Sequence, residues 1–86
     1  MSFDVKLSKR AYGELMSLQP ATRSRVVQRL EELRDDPSPR GAIKLQGRAD
    51  TYRVRVGDYR VLYEVQKKDN VVLVVKADHR SGVYGP

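Results

Sequence analysis

The dipeptide Gly57-Asp58 constrains this chain more than any other pair of residues, because it separates two runs that alternate apolar and polar side chains, Tyr52-Arg53-Val54-Arg55-Val56 and Tyr59-Arg60-Val61-Leu62-Tyr63. Glycine tolerates positive φ, which two-residue hairpin loops require, so the stretch is read as a β-hairpin. A loop of those two residues sets Val56 opposite Tyr59, Arg55 opposite Arg60, Val54 opposite Val61, Arg53 opposite Leu62 and Tyr52 opposite Tyr63. Side chains alternate faces along a strand. One face then carries Tyr52, Val54, Val56, Tyr59, Val61 and Tyr63 as core, while the other gathers Arg53, Arg55 and Arg60 beside Leu62.

Like charges directly opposite one another in an antiparallel pair are destabilising, by an amount comparable to the ~0.2 to 1 kcal/mol that favourable pairs contribute. The arginine face therefore suits an anion. Guanidinium groups hold their charge at any working pH and present forks of donors matched to phosphate oxygens, which favours a polyphosphate backbone over a small acid. A solvated, arginine-rich outer face without a ligand fits the same pattern.

Charge and length narrow the field. The 86 residues carry 17 Lys and Arg against 11 Asp and Glu, a net charge of +6, and the sequence pI near 9.9 points to a nucleic acid or an acidic protein as partner. One domain over residues 1–86, with one modest core, is expected. No apolar run approaches the roughly 18 residues of a membrane span, and the basic residues form no polybasic block beside an amphipathic helix. The start, Met1-Ser2-Phe3-Asp4-Val5, lacks the pattern of a secretory leader, so a cytoplasmic protein is expected. With no cysteine and one histidine, neither disulfide chemistry nor an intrinsic zinc site is expected, and no cofactor is implied.

The flanking segments supply the rest of an α+β fold. Phe3, Val5 and Leu7 alternate with polar residues, predicting a short strand with those three inward. Ser8 is a candidate N-cap for a helix to about Leu18, with Ala11, Leu15 and Leu18 buried and Lys9, Arg10 and Glu14 turned away. Pro20 suits the first position of a second helix, whose apolar stripe is Val26, Val27, Leu30 and Leu33; Arg23, Arg25, Arg29, Glu31, Glu32 and Arg34 are read as its solvated face. Pro37 ends that helix, and the short turn between the two makes an antiparallel helix pair. Residues 37–50 form the least regular segment, anchored by Ile43 and Leu45, with Arg40, Lys44 and Arg48 as candidate extensions of a phosphate-binding track leading to the hairpin. After the hairpin, Gln66-Lys67-Lys68-Asp69-Asn70 is a polar turn. Val71-Val72-Leu73-Val74-Val75, apolar on both faces, predicts an interior strand, after which the chain leaves the sheet and gathers His79, Arg80 and Tyr84 near the arginine face.

Three blocks, Lys44-Leu45-Gln46-Gly47, Tyr52 to Val65 with its central Gly-Asp-Tyr-Arg, and His79-Arg80-Ser81-Gly82-Val83-Tyr84, closely resemble the RelE/ParE superfamily of toxin-antitoxin toxins, on the RelE side. The resemblance covers nearly the whole chain. It implies a RelE-like, microbial-RNase-like fold: an N-terminal strand, an antiparallel helix pair and a three-stranded antiparallel meander forming one curved sheet. It also implies an mRNA interferase, a metal-free, ribosome-dependent endoribonuclease that cleaves messenger in the decoding site, and a RelB-like antitoxin on a separate chain that holds the toxin inactive in a hetero-oligomer.

The family's active surface, carried over position by position, matches Arg53 and Arg55 before the turn, Arg60 after it, Arg80 after the last strand and Tyr84 near the C-terminus. In such cleavage the 2′-hydroxyl attacks the adjacent phosphorus, and fixed cations stabilise the charge that builds on the phosphoryl and departing 5′ oxygens, one well-placed donor being worth ~3 to 4 kcal/mol. Arg60 and Arg80 are the candidates for holding the phosphate. Arg53 and Arg55 could stabilise the transition state, but an arginine is no general base. Tyr84 is the base the resemblance implies, and His79, as an imidazole, is the chemically easier alternative. Two departures stand out: the sequence ends at Pro86 without the C-terminal extension of some relatives, and arginines replace lysines. A ParE-like inhibitor of DNA gyrase and a degenerate, non-catalytic antitoxin-binding homologue are the competing readings.

Overall fold

A computed structural model of the protein describes residues 2–37, 42–45, 47 and 50–79. Strand β1 (Asp4–Leu7) is followed by helices α1 (Lys9–Met16) and α2 (Pro20–Glu32), then by strands β2 (Ile43–Lys44), β3 (Thr51–Val56), β4 (Tyr59–Gln66) and β5 (Val71–His79). They form one five-stranded sheet in the order β1-β5-β4-β3-β2. The expected α+β architecture is present, with one strand more than the sequence suggests.

The β3–β4 hairpin has the predicted register at every pair from Tyr52↔Tyr63 to Val56↔Tyr59. Gly57 has φ +59°, whereas Asp58 is not among the positive-φ residues, the pattern of a type II′ turn with glycine first. Tyr52 and Tyr63 stack across the strands with ring centroids 5.7 Å apart. Tyr63 is fully buried, and its hydroxyl donates to the Pro37 carbonyl at 2.7 Å. That bond ties the segment after α2 to the middle of the sheet.

Ser8 joins β1 to α1 in two ways. Its Oγ accepts from Ala11 N at 3.1 Å, which caps the helix, and donates to the Val75 carbonyl at 3.3 Å. Its own N–H donates to Val74 O. Pro20 opens α2 as expected. Ala11, Leu15 and Leu18 meet Val26, Leu30 and Leu33 of the second helical segment, and together they cover Val54, Val61, Tyr63, Val72 and Val74 of the sheet in one core. Phe3, Val5 and Leu7 pack against it.

Five sequence expectations are corrected. Val27 is 39% exposed and lies off the buried stripe of α2. Ile43 is 52% exposed: instead of anchoring the irregular segment, it pairs with Arg53 in the added edge strand β2, held by backbone hydrogen bonds that its side chain does not advertise. Arg23 is not merely solvated, since Nη2 donates to Leu18 O at 3.0 Å and locks the turn between the helices. The chain does not leave the sheet after Val75, because β5 runs on to His79. A β-bulge allows this: Leu62 pairs with Lys76 and Tyr63 with Val74, leaving Val75 as the extra residue. Finally, Glu14 does not point away. Beyond Leu7, which pairs with Val74, β5 outruns its parallel neighbour, and Glu14 Oε1 accepts the Ala77 N–H at 2.8 Å.

Candidate functional site

The hairpin register places Arg53, Arg55 and Arg60 on one sheet face, opposite the core face of Val54, Val56 and Val61. Arg60 also pairs with Asp78, and Leu62 with Lys76, so Lys76 and Asp78 share that face. Among the described residues the three arginines differ in exposure: Arg55 is exposed, Arg53 half-buried and Arg60 only 3% exposed. The face is therefore not uniformly solvated. A buried guanidinium supplies positive potential from beneath the surface, where screening is weak.

Asp78 is the carboxylate set into this field. Burial works to raise its pKa, but hydrogen bonding with Glu14 and Lys76 and the positive charges of Lys76 and Arg10 hold it below the ordinary carboxylate value. Lys76 Nζ lies 3.2 Å and Arg10 Nη2 3.6 Å from Asp78 Oδ2, while Arg10 Nε also donates to Glu14 Oε2 at 3.2 Å. Two carboxylates and two cations thus lock α1 to the end of β5.

His79 stands apart from the arginines. It pairs with Tyr59, so it belongs to the face of Tyr59 and Val61, and its ring meets Tyr59 edge-on at a centroid distance of 5.0 Å. The sequence placed it near the arginine face, but strand alternation turns it to the opposite side. Lys44 is exposed on β2, paired with Tyr52. Arg40, Arg48, Arg80 and Tyr84 lie outside the described residues.

Past Arg53, the β3 edge adds cations that the residue pattern placed on a solvated helix face. β2 reaches only as far as Arg53 on β3, and beyond it, among the described residues, α2 flanks the edge. A cleft there is lined by Arg29, Ile43, Arg53, Val54 and Arg55. Arg25 lies over the hairpin turn, with Nη1 3.5 Å from where a Cβ of Gly57 would stand. The sequence sign of this was the i, i+4 spacing of Arg25 and Arg29, which puts both on one side of α2. Among the described residues no group of three His, Cys, Asp or Glu is placed to hold a metal ion, and no helix is long and apolar enough to cross a membrane.

A two-helix layer over a five-stranded sheet carries the basic hairpin residues on the face opposite its core, and comparison with known proteins assigns this chain to the toxins of toxin-antitoxin systems. The chain belongs to the ParE toxin family of type II toxin-antitoxin systems, whose model matches residues 5–84, within the RelE/ParE superfamily and on its RelE-like side. It is 32% identical to RelE1 of Methanocaldococcus jannaschii over 98% of this chain and 97% of that one. Among solved structures, it is similar to the RelE chain of the archaeal RelE-RelB complex from Pyrococcus horikoshii, with 39% identity, 93% of this chain and 97% of that one covered and a TM-score of 0.82. It is also similar to the isolated RelE toxin of E. coli, with 28% identity, 96% and 92% covered and a TM-score of 0.83.

Proposed function

We propose that this toxin is a ribosome-dependent, metal-free mRNA endonuclease that arrests translation by cutting messenger in the decoding site, and that residues 1–86 act as a single RelE-like toxin domain. The observation that carries the reading is the hairpin face. Its register aligns Arg53, Arg55 and Arg60, and no carboxylate among the described residues is shown ion-paired with Arg53 or Arg55. Two neighbouring arginines, Arg53 and Arg55, without a carboxylate partner among the described residues suit an external polyanion.

In the reaction the 2′-hydroxyl oxygen attacks the adjacent phosphorus as its proton passes to a base, and the bond from phosphorus to the 5′ oxygen breaks. The departing 5′ oxygen takes up a proton from water, so the products are a 2′,3′-cyclic phosphate and a 5′-hydroxyl. Arg53 and Arg55 stabilise the charge developing on the phosphoryl and leaving oxygens; Arg60 adds potential from below the surface, and Arg80 holds the phosphate. Tyr84 is the base in this reading. The placement of His79 beside Tyr59, across the sheet from the arginines, weighs against it in that role. The ribosome orients the messenger for in-line attack, which a site without a histidine-carboxylate pair does poorly alone. Arg40, Lys44 and Arg48 extend the RNA contact. Similar RelE chains are solved as complexes with RelB, and this chain is assigned a RelB-like antitoxin that binds as a separate chain in the cytoplasm.

The name of the matching family supports a second reading, a ParE-like inhibitor of DNA gyrase. Reconstituted translation with primer extension separates the two. Cleavage inside codons that requires ribosomes and disappears in the Arg53→Ala, Arg55→Ala double variant is the expected result. Intact messenger together with inhibited supercoiling by gyrase would replace it with the ParE-like reading.

A further inference from the structure

We propose that Arg25 of α2 joins Arg53 and Arg55 in a phosphate-binding track for single-stranded RNA, running off the arginine face, past the end of β3 beside the hairpin turn and onto the helix. The inference rests on the RNA-directed reading above and extends it to a helix that the reading does not use.

Three observations converge on this edge. First, two adjoining clefts share Arg29 and Arg55: one, of about 350 Å³, is lined by Arg53 as well, and the other, of about 230 Å³, reaches from Arg55 to Arg25 and Gly57. The cations therefore form a continuous path instead of scattered surface charges. Second, compensation is local and incomplete. Arg29 is paired with Glu32 at 2.5 Å, whereas no carboxylate among the described residues is shown paired with Arg25, Arg53 or Arg55. Asp58 lines a neighbouring cleft with Arg25 and is exposed, so it does not close the track. Third, spacing suits a repeating anion. Two residues along β3 advance Arg53 to Arg55 by about 6.8 Å, a step comparable to that between successive phosphates of an extended strand, and Arg25 continues the path beyond the turn. Guanidinium forks favour phosphate oxygens in such an array. An acidic antitoxin segment laid along the β3 edge is the alternative occupant, and the test below separates it.

Binding of a short single-stranded RNA to purified toxin is measured as a function of salt. Each phosphate neutralised on a single strand contributes about 0.7 to the slope of log K against log salt. Arg25→Ala should lower the magnitude of that slope by about 0.7, and Arg25→Lys should retain it. Lys68→Ala, which removes a cation from the exposed turn between β4 and β5, should leave it unchanged. An unaltered slope in Arg25→Ala, or an equal fall in Lys68→Ala, overturns the track. So does an unaltered slope accompanied by weaker antitoxin binding, which gives the cleft to the protein partner. Absence of ribosome-dependent cleavage by the wild-type toxin would overturn the proposed reaction alone, because the RNA-binding slopes read the track independently.

Discussion

Alkaline unfolding of this protein should run through one residue, Tyr63. Its ring is fully buried beneath the helices, and its hydroxyl donates to Pro37 O at 2.7 Å. Burial, and secondarily the neighbouring Tyr52, push its pKa up from 10.0 to about 12, while Arg29 pulls weakly the other way. The neutral phenol is thus favoured in the folded state relative to the unfolded chain. Below pH 10 both states hold the proton and the contribution is complete. Between pH 10 and about 12 the unfolded chain releases its proton first, so stability falls as pH rises, by up to ~1.4 kcal/mol per unit and ~2.7 kcal/mol across the window.

The comparator is Tyr63→Phe. It has no phenol to titrate, but it leaves the Pro37 carbonyl without its donor, a loss of about 1 to 3 kcal/mol near neutral pH. Urea unfolding of both proteins from about pH 8 to about pH 12 reads the difference, and taking that difference cancels the titration of the other tyrosines and the lysines. The wild-type advantage should be largest at the neutral end and shrink through the window. Stability curves that stay parallel up to pH 12 would show that Tyr63 titrates alike in both states and would refute the reasoning.

Other perturbations address separate parts of the fold. Leu33→Ala, at a fully buried position, should cost about 2 to 5 kcal/mol in urea unfolding through the cavity it leaves. Gly57→Ala meets only ordinary contacts with Arg25, but the positive φ of 59° should cost about 1 to 2 kcal/mol. Glu14→Ala should speed hydrogen exchange at the Ala77 amide, whose acceptor it removes, and Glu14→Gln should largely restore protection. Asp78 is held below the ordinary carboxylate pKa, so its stabilisation is present above that ordinary value and lost as pH falls through the lowered one. The gap between wild type and Asp78→Asn should accordingly close on acidification, as followed by thermal melts at a series of pH values.

What the sequence made legible was governed by local pattern. Strict alternation around Gly57-Asp58 is enough to fix the hairpin register, because a slip of one residue would turn Val54, Val56 and Val61 out of the core. Ser8 and Pro20 mark helix starts by backbone chemistry that needs no tertiary context. What escaped depended on partners distant in sequence. Ile43-Lys44 becomes a strand only because the β3 edge offers backbone partners. Glu14 looks like any surface glutamate until β5 extends past β1 and exposes the Ala77 N–H. The bulge at Val75 lets β5 continue where composition changes from apolar to charged, and it carries His79 to the face of Tyr59 instead of the face of Arg60. The burial of Arg60 was likewise hidden, since alternation assigns a face but not the depth of the side chain within it.

The central claim, that the arginine face promotes attack by a 2′-hydroxyl on messenger held in the ribosome, is tested most directly by changing the nucleophile. Programmed ribosomes carrying a messenger with a single 2′-deoxynucleotide at the cleaved position are mixed with toxin and compared with the all-ribose messenger. The account predicts a cut with a 2′,3′-cyclic phosphate end in the ribose messenger and no cut at the deoxy position. Equal cleavage of the two messengers would contradict it.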